Sequence, residues 1–157
     1  MSEAPAGDTN DGGGEAPRRC GFIAVVGAPN AGKSTLINRL VGAKVSIVTP
    51  KVQTTRSRIL GVARQGEIQM VYVDTPGIFA PKRRLDRAMV AAAWGGAADA
   101  DVVVALIDSE RGRSADVERI VAGLKRSRRP AVLALNKIDL VRRDKLLGLA
   151  AGLDAEG

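Results

Sequence analysis

Short, continuous apolar runs recur along the chain, and each ends at a polar or glycine-rich segment. Such runs are typical of strands that are buried on both faces of a parallel sheet. They predict strands over residues 22–26, 101–107 and 131–135. Two further segments, 58–63 and 68–73, have strand-like composition and are joined through Gln65-Gly66, so they predict a hairpin.

Between these strands, apolar residues recur at intervals of three and four, which is the spacing of an amphipathic helix. The helices are predicted from Leu36, Ile37 and Leu40; from Leu85, Ala88, Met89 and Ala92; and from Val117, Ile120, Val121 and Leu124. Ser114 is placed to cap the third of them, and a last helix is predicted over residues 142–151. The alternation predicts a three-layer α/β/α fold with an open, mostly parallel sheet and one antiparallel edge hairpin.

Two segments show neither the apolar runs of strands nor the apolar spacing of helices. Residues 44–56 are rich in Thr and Ser and predict a long loop. Residues 1–16 contain four acidic residues, several glycines and no Lys or Arg. Such a segment cannot bury enough apolar surface to offset the entropy of ordering. We therefore expect residues 1–18 to form a disordered acidic tail, and residues 19–157 to form the folded domain.

Composition excludes several kinds of chemistry. The chain has no histidine, so catalytic triads with histidine, histidine general bases and histidine metal sites are excluded. Its one cysteine, Cys20, cannot form an internal disulfide and fits a reducing cytoplasm. No apolar run reaches the ~18 residues of a membrane span. Lys, Asp, Ser, Thr, Asn, backbone amides and a hard metal ion remain available.

A glycine-rich loop joins the first predicted strand to the first predicted helix. It matches GxxxxGK[ST] and reads Gly27-Ala28-Pro29-Asn30-Ala31-Gly32-Lys33-Ser34. In this context backbone amides surround a β-phosphate, and the helix N-terminus adds a favourable potential. Lys33 would reach the β- and γ-phosphates, and the Ser34 hydroxyl would bind Mg²⁺. Thr35 completes the predicted binding segment, and an ordinary glycine-rich turn is the alternative interpretation.

A second motif, Asp74-Thr75-Pro76-Gly77, directly follows the predicted strand 68–73. Asp74 can hold Mg²⁺ through its water shell, and Gly77 can bring a bare amide against a γ-phosphate. The same residues also suit an ordinary turn. Their position after a phosphate-loop unit favours the nucleotide interpretation.

A third motif, Asn136-Lys137-Ile138-Asp139, directly follows the predicted strand 131–135. The Asp139 carboxylate can accept from the N1–H and 2-amino groups of guanine, and adenine lacks both donors. Sites of this kind discriminate by factors on the order of 10⁴. The Lys137 stem can lie over the base while Asn136 holds the loop together. A polar strand-to-helix turn is the alternative, but the two motifs in this order favour a guanine-nucleotide site.

Together the three motifs resemble the GTPase domain of the translation-factor-related class of P-loop NTPases. The run Gln53-Thr54-Thr55-Arg56-Ser57-Arg58 narrows the resemblance to the Era family of bacterial GTPases, because the Der and tRNA-modifying relatives usually carry Gly-x-Thr-Arg there. The resemblance covers about residues 21–141. It implies a GTPase that hydrolyses GTP slowly to GDP and assists maturation of 16S rRNA and the small ribosomal subunit.

The resemblance also implies roles for single residues. A threonine of the loop 44–56 would ligate Mg²⁺ in the GTP state, and we favour Thr55 over Thr54. Ile78 stands where Ras-type enzymes carry the glutamine that orients water, so the hydrolytic machinery must differ. Asn30 matches the asparagine that supports a potassium ion in related GTPases, although it could simply belong to a turn. Catalysis is accordingly assigned to Lys33, Thr55, Gly77 and Asn30.

The sequence ends at Gly157, before segments that the resemblance implies. These are a guanine-contacting Ser-Ala loop, a sixth strand, a last helix and an RNA-binding KH domain. We therefore expect an incomplete GTPase domain with residues 131–135 as an exposed apolar edge, which favours aggregation. Peripheral membrane contact is implied by the resemblance alone.

Basic residues cluster at 82–87, 125–129 and 142–145 in a chain of net charge +7. These clusters suit either a ribosome-facing surface or ordinary solvated helix faces. The alternative function is accordingly a non-catalytic fragment that binds RNA through its basic surface and binds little nucleotide.

Overall fold

The computed structural model describes residues 19–42, 59–128 and 130–155, of which Ile59 is described by its backbone only. The predicted acidic tail and the whole of the predicted loop 44–56, with Thr54 and Thr55, lie outside these residues. The elements are β1 (Arg19–Gly27), α1 (Lys33–Val41), β2 (Ile59–Gln65), β3 (Ile68–Asp74), α2 (Arg84–Ala98), β4 (Val102–Asp108), α3 (Ala115–Ser127), β5 (Ala131–Asn136) and α4 (Arg143–Asp154).

The described strands form one sheet in the order β2-β3-β1-β4-β5. All neighbouring pairs are parallel except β2 and β3, which are antiparallel. The predicted α/β fold with one antiparallel edge hairpin is therefore confirmed. β1 lies at the centre, with Val25 opposite Asp74 of β3 and Val104 of β4.

The hairpin turn lies one residue later than predicted. Gln65 still pairs with Ile68, so the two-residue loop is Gly66-Glu67 rather than Gln65-Gly66. Gly66 has a φ of +60°, a conformation that favours glycine and matches the twist of a two-residue hairpin. The position of the turn is decided by this backbone requirement at Gly66.

Helices cover both faces of the sheet. On one face α1 packs through Ile37 against Val25, Tyr72 and Leu106. On the other face, α2 and α3 pack over the small side chains of the central strands; these residues include Ala24, Val26, Val103, Ala105, Ala93, Ala97 and Ile120. Leu153 of α4 joins Ile107 and two α3 residues on that second face. The structure therefore has the three predicted layers.

One element end agrees with the sequence prediction and two differ from it. Ser114 caps α3 as predicted, since its Oγ accepts a hydrogen bond from Val117 N at 3.4 Å. β1 begins at Arg19, earlier than predicted, because its first residues pair with β3 from Ile68 onwards. α2 extends to Ala98, beyond the predicted apolar repeat. None of the described helices is both long enough and apolar enough to cross a bilayer.

β5 is a strand as predicted, but it is not buried. Among the described strands it lies at one edge of the sheet, and its first three residues are exposed. Continuous apolar sequence therefore predicted the strand correctly and its burial wrongly. The exposure agrees with the other prediction, that of an apolar edge over residues 131–135.

Candidate functional site

The three sequence motifs meet at one edge of the sheet. β1, β3, β4 and β5 are parallel, so their carboxyl ends lie on the same side. The motifs follow β1, β3 and β5, and open α/β sheets bind ligands at this edge. The topology thus brings together segments that lie far apart in the sequence.

The loop after β1 has the backbone of a phosphate cradle. Gly32 has a φ of +99°, and a Cβ at this position would collide with the side-chain amide of Asn136. Asn30 is exposed and has a φ of +61°, a left-handed conformation that asparagine tolerates better than most residues. The turn itself therefore accounts for an asparagine at position 30, and its predicted role with potassium stays a prediction.

Lys33 begins α1 and folds back over the loop. Its ammonium group donates hydrogen bonds to Ala28 O at 2.9 Å and to Gly27 O at 3.2 Å. Burial lowers the pKa of Lys33 from its usual 10.5 to about 8, while the nearby Asp74 carboxylate opposes this shift. An anion in the loop would raise this pKa again, because it offers the ammonium group an opposite charge.

Ser34 and Asp74 form the contact between the first and second motifs. Ser34 Oγ donates to Asp74 Oδ2 at 2.7 Å, and Asp74 is fully buried at the end of β3. A hydroxyl and a carboxylate are the hard oxygen ligands that Mg²⁺ prefers. The donor set therefore fits the magnesium site that the sequence predicts. Thr35 is exposed on the same turn of α1.

The segment after Asp74 lies directly against the phosphate loop. Thr75 Oγ1 donates to Val25 O at 2.8 Å, and Ile78 N donates to Gly27 O at 3.0 Å. A Cβ at Gly77 would lie 2.9 Å from both Cγ and N of Pro29, so only glycine fits without displacement. The Ile78 side chain is buried in the core, consistent with a residue that takes no part in orienting water.

The third motif is attached to the phosphate loop through its first residue. Asn136 Nδ2 donates to Ala31 O at 2.8 Å, over 105 positions of sequence. Asn136 therefore joins the third motif to the phosphate loop. Asp139 lies in a short 3₁₀ turn over Ile138–Leu140 and is exposed, so its carboxylate is accessible to a base.

Lys137 is positioned by Asp108, a residue that lies outside the three motifs. Its Nζ lies 2.7 Å from Asp108 Oδ2, and Asp108 is 3% exposed at the end of β4. Asp108 does also belong to a turn, because its Oδ1 accepts from Glu110 N at 3.1 Å. The available signal was an aspartate at the end of an apolar strand, the same place that Asp74 occupies on β3.

The basic clusters do not form one surface. Helices that follow parallel strands begin at the carboxyl edge of the sheet and end at the opposite edge. The clusters at 82–87 and 142–145 lie where α2 and α4 begin, whereas 125–128 lies at the end of α3. Any polyanion that contacts all three must therefore extend over both edges of the domain.

Comparison with known proteins identifies close relatives. The family described as 50S ribosome-binding GTPase matches residues 22–137. GTPase Era of Rhizobium meliloti (strain 1021) is 64% identical over 138 residues, which are 88% of this chain and 44% of that protein. The chain thus spans a little under half the length of this curated relative.

Two solved structures of Era share the fold. One is Era in complex with MgGDPNP and nucleotides 1506–1542 of 16S ribosomal RNA, with a TM-score of 0.83, 38% identity, and coverage of 89% of this chain and 48% of that one. The other is a variant of Aquifex aeolicus Era bound to GDP.AlF4⁻, with a TM-score of 0.79, 40% identity, and coverage of 88% and 48%. The resemblance to the Era family is confirmed.

Proposed function

Since the chain belongs to the family of 50S ribosome-binding GTPases, we propose that it binds GTP and GDP with Mg²⁺ and hydrolyses GTP as a molecular switch. One observation carries this proposal: Ser34 Oγ bonds to Asp74 Oδ2, and Asn136 Nδ2 bonds to Ala31 O, so all three motifs are joined. Open α/β sheets bind nucleotides at this edge of the sheet.

In the proposed complex, the segment 27–35 surrounds the phosphates. Backbone amides of the loop and the start of α1 face the anion, and Lys33 exchanges its two carbonyl partners for phosphate oxygens. Ser34 would ligate Mg²⁺ and Asp74 would hold it through its water shell. Thr55, which we favour over Thr54, would join them in the GTP state. When bound, Mg²⁺ neutralises negative charge on the phosphate oxygens.

The base is recognised by the third motif. The exposed Asp139 carboxylate accepts from the two guanine donors, and the Lys137 stem lies against the ring. The ion pair with buried Asp108 holds Lys137 in place before a nucleotide arrives. Such preorganisation lowers the entropic cost of binding.

In this proposal the residue at position 78 does not orient the attacking water, because Ile78 is part of the core. The Gly77 amide contacts the γ-phosphate, and the segments 44–56 and 75–84 change conformation when this phosphate is lost. Lys33 stabilises charge on the phosphates, and a potassium ion near Asn30 would add positive charge where other GTPases use an arginine.

We extend the proposal to ribosome assembly, and place it in the cytoplasm, on the similarity to an Era structure that contains 16S ribosomal RNA. The basic residues at the starts of α2 and α4 lie on the same edge as the nucleotide site and are suited to contact phosphates of RNA. The alternative, a non-catalytic chain that binds RNA but little nucleotide, uses the same surface.

The first experiment is a titration of the chain with a fluorescent GDP analogue in Mg²⁺ and K⁺. We expect saturable binding that GTP displaces and ATP does not. Lys33→Ala should weaken binding roughly 10- to 100-fold, because it removes a charged hydrogen-bond donor to phosphate. Lys125→Ala, which removes an exposed cation from the far edge of the domain, is the matched control.

Two outcomes of this titration would contradict the proposal. Equal competition by ATP would exclude guanine recognition by Asp139. A folded chain that binds no analogue but binds RNA in a salt-sensitive manner would favour the non-catalytic alternative. A separate assay tests the hydrolytic step by measuring release of inorganic phosphate from GTP. This release should be lost in Lys33→Ala.

A further inference from the structure

One basic cluster plays no part in the proposed function. It lies at the end of α3 and consists of Lys125, Arg126 and Arg128, all of which are exposed. We call these three residues the α3-end cluster. Because α3 follows β4 and leads into the parallel strand β5, it ends at the edge of the sheet where these strands begin. The charge of the cluster is therefore directed away from the nucleotide site.

The charge of the α3-end cluster is not compensated by acidic residues within it. Each of the other two basic clusters contains a carboxylate, Asp86 or Asp144, whereas residues 125–129 contain none. In the part of the chain that the structure describes, Arg126 and Arg128 form no ion pair. These two guanidinium groups are therefore available to an anionic partner.

Residues 1–18, which lie outside the described residues, supply opposite charge within the same chain. Their carboxylates are those of Glu3, Asp8, Asp11 and Glu15. Residues 1–16 contain no Lys or Arg, and Met1 is their only large apolar side chain. We call residues 1–18 the acidic segment. Its attraction to the folded domain is consequently electrostatic, and the surface that it favours is one with positive charge.

The fold attaches the acidic segment at the same edge of the sheet as the α3-end cluster. The segment is followed directly by β1, which begins at Arg19 and pairs with β4. Just beyond α3, Pro130 O accepts a hydrogen bond from Val103 N of β4 at 3.0 Å. Neighbouring strands are about 4.8 Å apart, whereas a chain of this length spans up to roughly 60 Å. The acidic segment therefore starts near the cluster and is long enough to reach it.

We propose that the acidic segment docks on the α3-end cluster and competes there with RNA. A tethered segment acts at an effective concentration on the order of millimolar, so weak ion pairs are enough to place it ahead of a dilute competitor. The basic starts of α2 and α4 stay open to RNA, whereas the cluster becomes accessible only when a polyanion displaces the segment. The competition with RNA rests on the proposed function, but the contact within the chain does not.

The first test detects the contact with a nitroxide label. Cys20 is the only cysteine of the chain and is exposed, so Cys20→Ser combined with Asn10→Cys directs the label to the acidic segment. We expect the label to broaden the amide resonances of Arg126 and Arg128 at low salt, and those of Arg143 at the start of α4 much less. The broadening should decrease near 1 M salt, because the Debye length falls to about 3 Å.

A matched chain separates the electrostatic contact from simple tethering, which alone keeps the label near this edge. It carries the same label and the charge-removing substitutions Glu3→Gln, Asp8→Asn, Asp11→Asn and Glu15→Gln. Broadening at Arg126 and Arg128 should be at least about threefold weaker in this neutral chain. Equal broadening in the two chains, or broadening that salt does not change, would overturn the proposal.

The second test measures competition with a fluorescein-labelled oligouridine of about 16 nucleotides. Removing the charges of the acidic segment should raise the affinity about 3- to 10-fold at low salt, and should steepen the dependence of log affinity on log salt by about 0.7 for each arginine released. In the background Arg126→Gln/Arg128→Gln this gain should vanish. In the matched background Arg84→Gln/Arg87→Gln, at the start of α2, the gain should persist.

A gain of equal size in both backgrounds would overturn the proposal. It would show that net charge alone governs binding, and that the cations at the end of α3 serve only to complement the helix dipole. Broadening without any gain in RNA affinity would also overturn it, because the segment and RNA would then not share a surface. Neither test involves a nucleotide. A chain that binds no GDP analogue but passes both tests would refute the proposed nucleotide binding and support this contact, and the converse result would refute this contact alone.

Discussion

Thr75, Asn136 and Asp108 each connect a binding segment to another strand or loop. Thr75 Oγ1 bonds to Val25 O, Asn136 Nδ2 bonds to Ala31 O, and Asp108 pairs with Lys137. Thr75 and Asp108 are buried, so breaking their contacts would leave a buried polar group unsatisfied, which is costly. At the scale of residues, the site is therefore positioned before any ligand binds.

The sharpest prediction at this scale concerns Asp139. In Asp139→Asn, the amide still accepts from the guanine N1–H, but it presents an NH₂ group to the guanine 2-amino group. We expect GDP affinity to fall on the order of 10³-fold. Xanthine carries an oxygen in place of that amino group, so XDP affinity should rise.

Competition titrations with GDP and XDP measure both effects on the same two chains. Asp154→Asn, at the end of α4, is a matched control that should bind GDP like the parent chain. Loss of GDP affinity without any gain for XDP would contradict the predicted contact.

At the scale of elements, the start of α2 depends on one carboxylate. Asp86 Oδ2 accepts from Arg83 N at 2.8 Å and from Lys82 N at 3.0 Å. These backbone hydrogen bonds, first from Arg83 and then from Lys82, hold the pKa of Asp86 below its usual 3.8. The ionised carboxylate thus favours the helix over the unfolded chain.

The lowered pKa of Asp86 determines how stability depends on pH. Because the pKa is lower in the folded state, the contribution of Asp86 is complete above about pH 4 and disappears as the pH falls through the lowered value. Asp86→Asn should therefore be less stable than the parent chain at pH 6, and the difference should vanish in acid. Urea unfolding followed by Trp94 fluorescence measures this difference at each pH; a difference that persists at low pH would contradict the role of the charge.

Packing between α2 and α3 depends on a glycine. A Cβ at Gly123 would overlap the indole ring of Trp94, whereas a Cβ at Gly148 of α4 would meet no atom within 4 Å. Gly123→Ala should destabilise the domain by about 1–2 kcal/mol, since overpacking outweighs the gain in helix propensity. Gly148→Ala should stabilise it by about 0.5–1 kcal/mol.

The two alanine variants add the same atoms to helix interiors, so they control for one another. Urea unfolding of both gives the comparison, and destabilisation of equal size in the two would contradict the specific contact with Trp94. For Gly123→Ala the Trp94 fluorescence of the folded state should also change.

At the scale of the whole molecule, the described residues leave the edge strand β5 partly uncovered. Val132 and Leu133 of the edge strand β5 are 53% and 37% exposed. Unpaired apolar edge strands promote association, and lysine on such a strand prevents it. The isolated chain should therefore associate as its concentration rises.

Val132→Lys should reduce this association without a change in GDP affinity. Leu147→Lys places the same charge on α4, where Leu147 is 64% exposed, and should have little effect. Light scattering over a concentration series compares the three chains. Equal improvement in both variants would indicate that net charge, and not the strand edge, controls association.

Much of the fold follows from local pattern. Apolar runs predicted β1, β4 and β5, strand-like composition predicted β2 and β3, and apolar residues at helical spacing predicted α1, α2 and α3. The predictions erred at β5, whose run is as apolar as that of β4 but lies at an edge, and at the hairpin, where a positive φ at Gly66 moved the turn. The burial of β5 depends on which elements lie beside it, and the position of the hairpin turn depends on a backbone angle. Hydrophobic periodicity reports neither.

The functional site likewise has residues that local sequence identified and a residue that it missed. Spacing within motifs identified Lys33, Ser34, Asp74, Asn136 and Asp139, because each motif is contiguous and its chemistry is local. The role of Asp108 was missed, since its partner Lys137 lies 29 positions away. Thr55 and Asn30 remain predictions for the Mg²⁺ and potassium sites.

The sequence by itself determined the order of strands and helices and the three binding motifs, since both are written in neighbouring residues. Only the tertiary structure decided which strands are adjacent, which places Asp74 beside Ser34 and Asn136 beside Ala31. It also decided that Gly77 lies against Pro29. These contacts join residues far apart in the chain, so they exist only once the sheet has assembled.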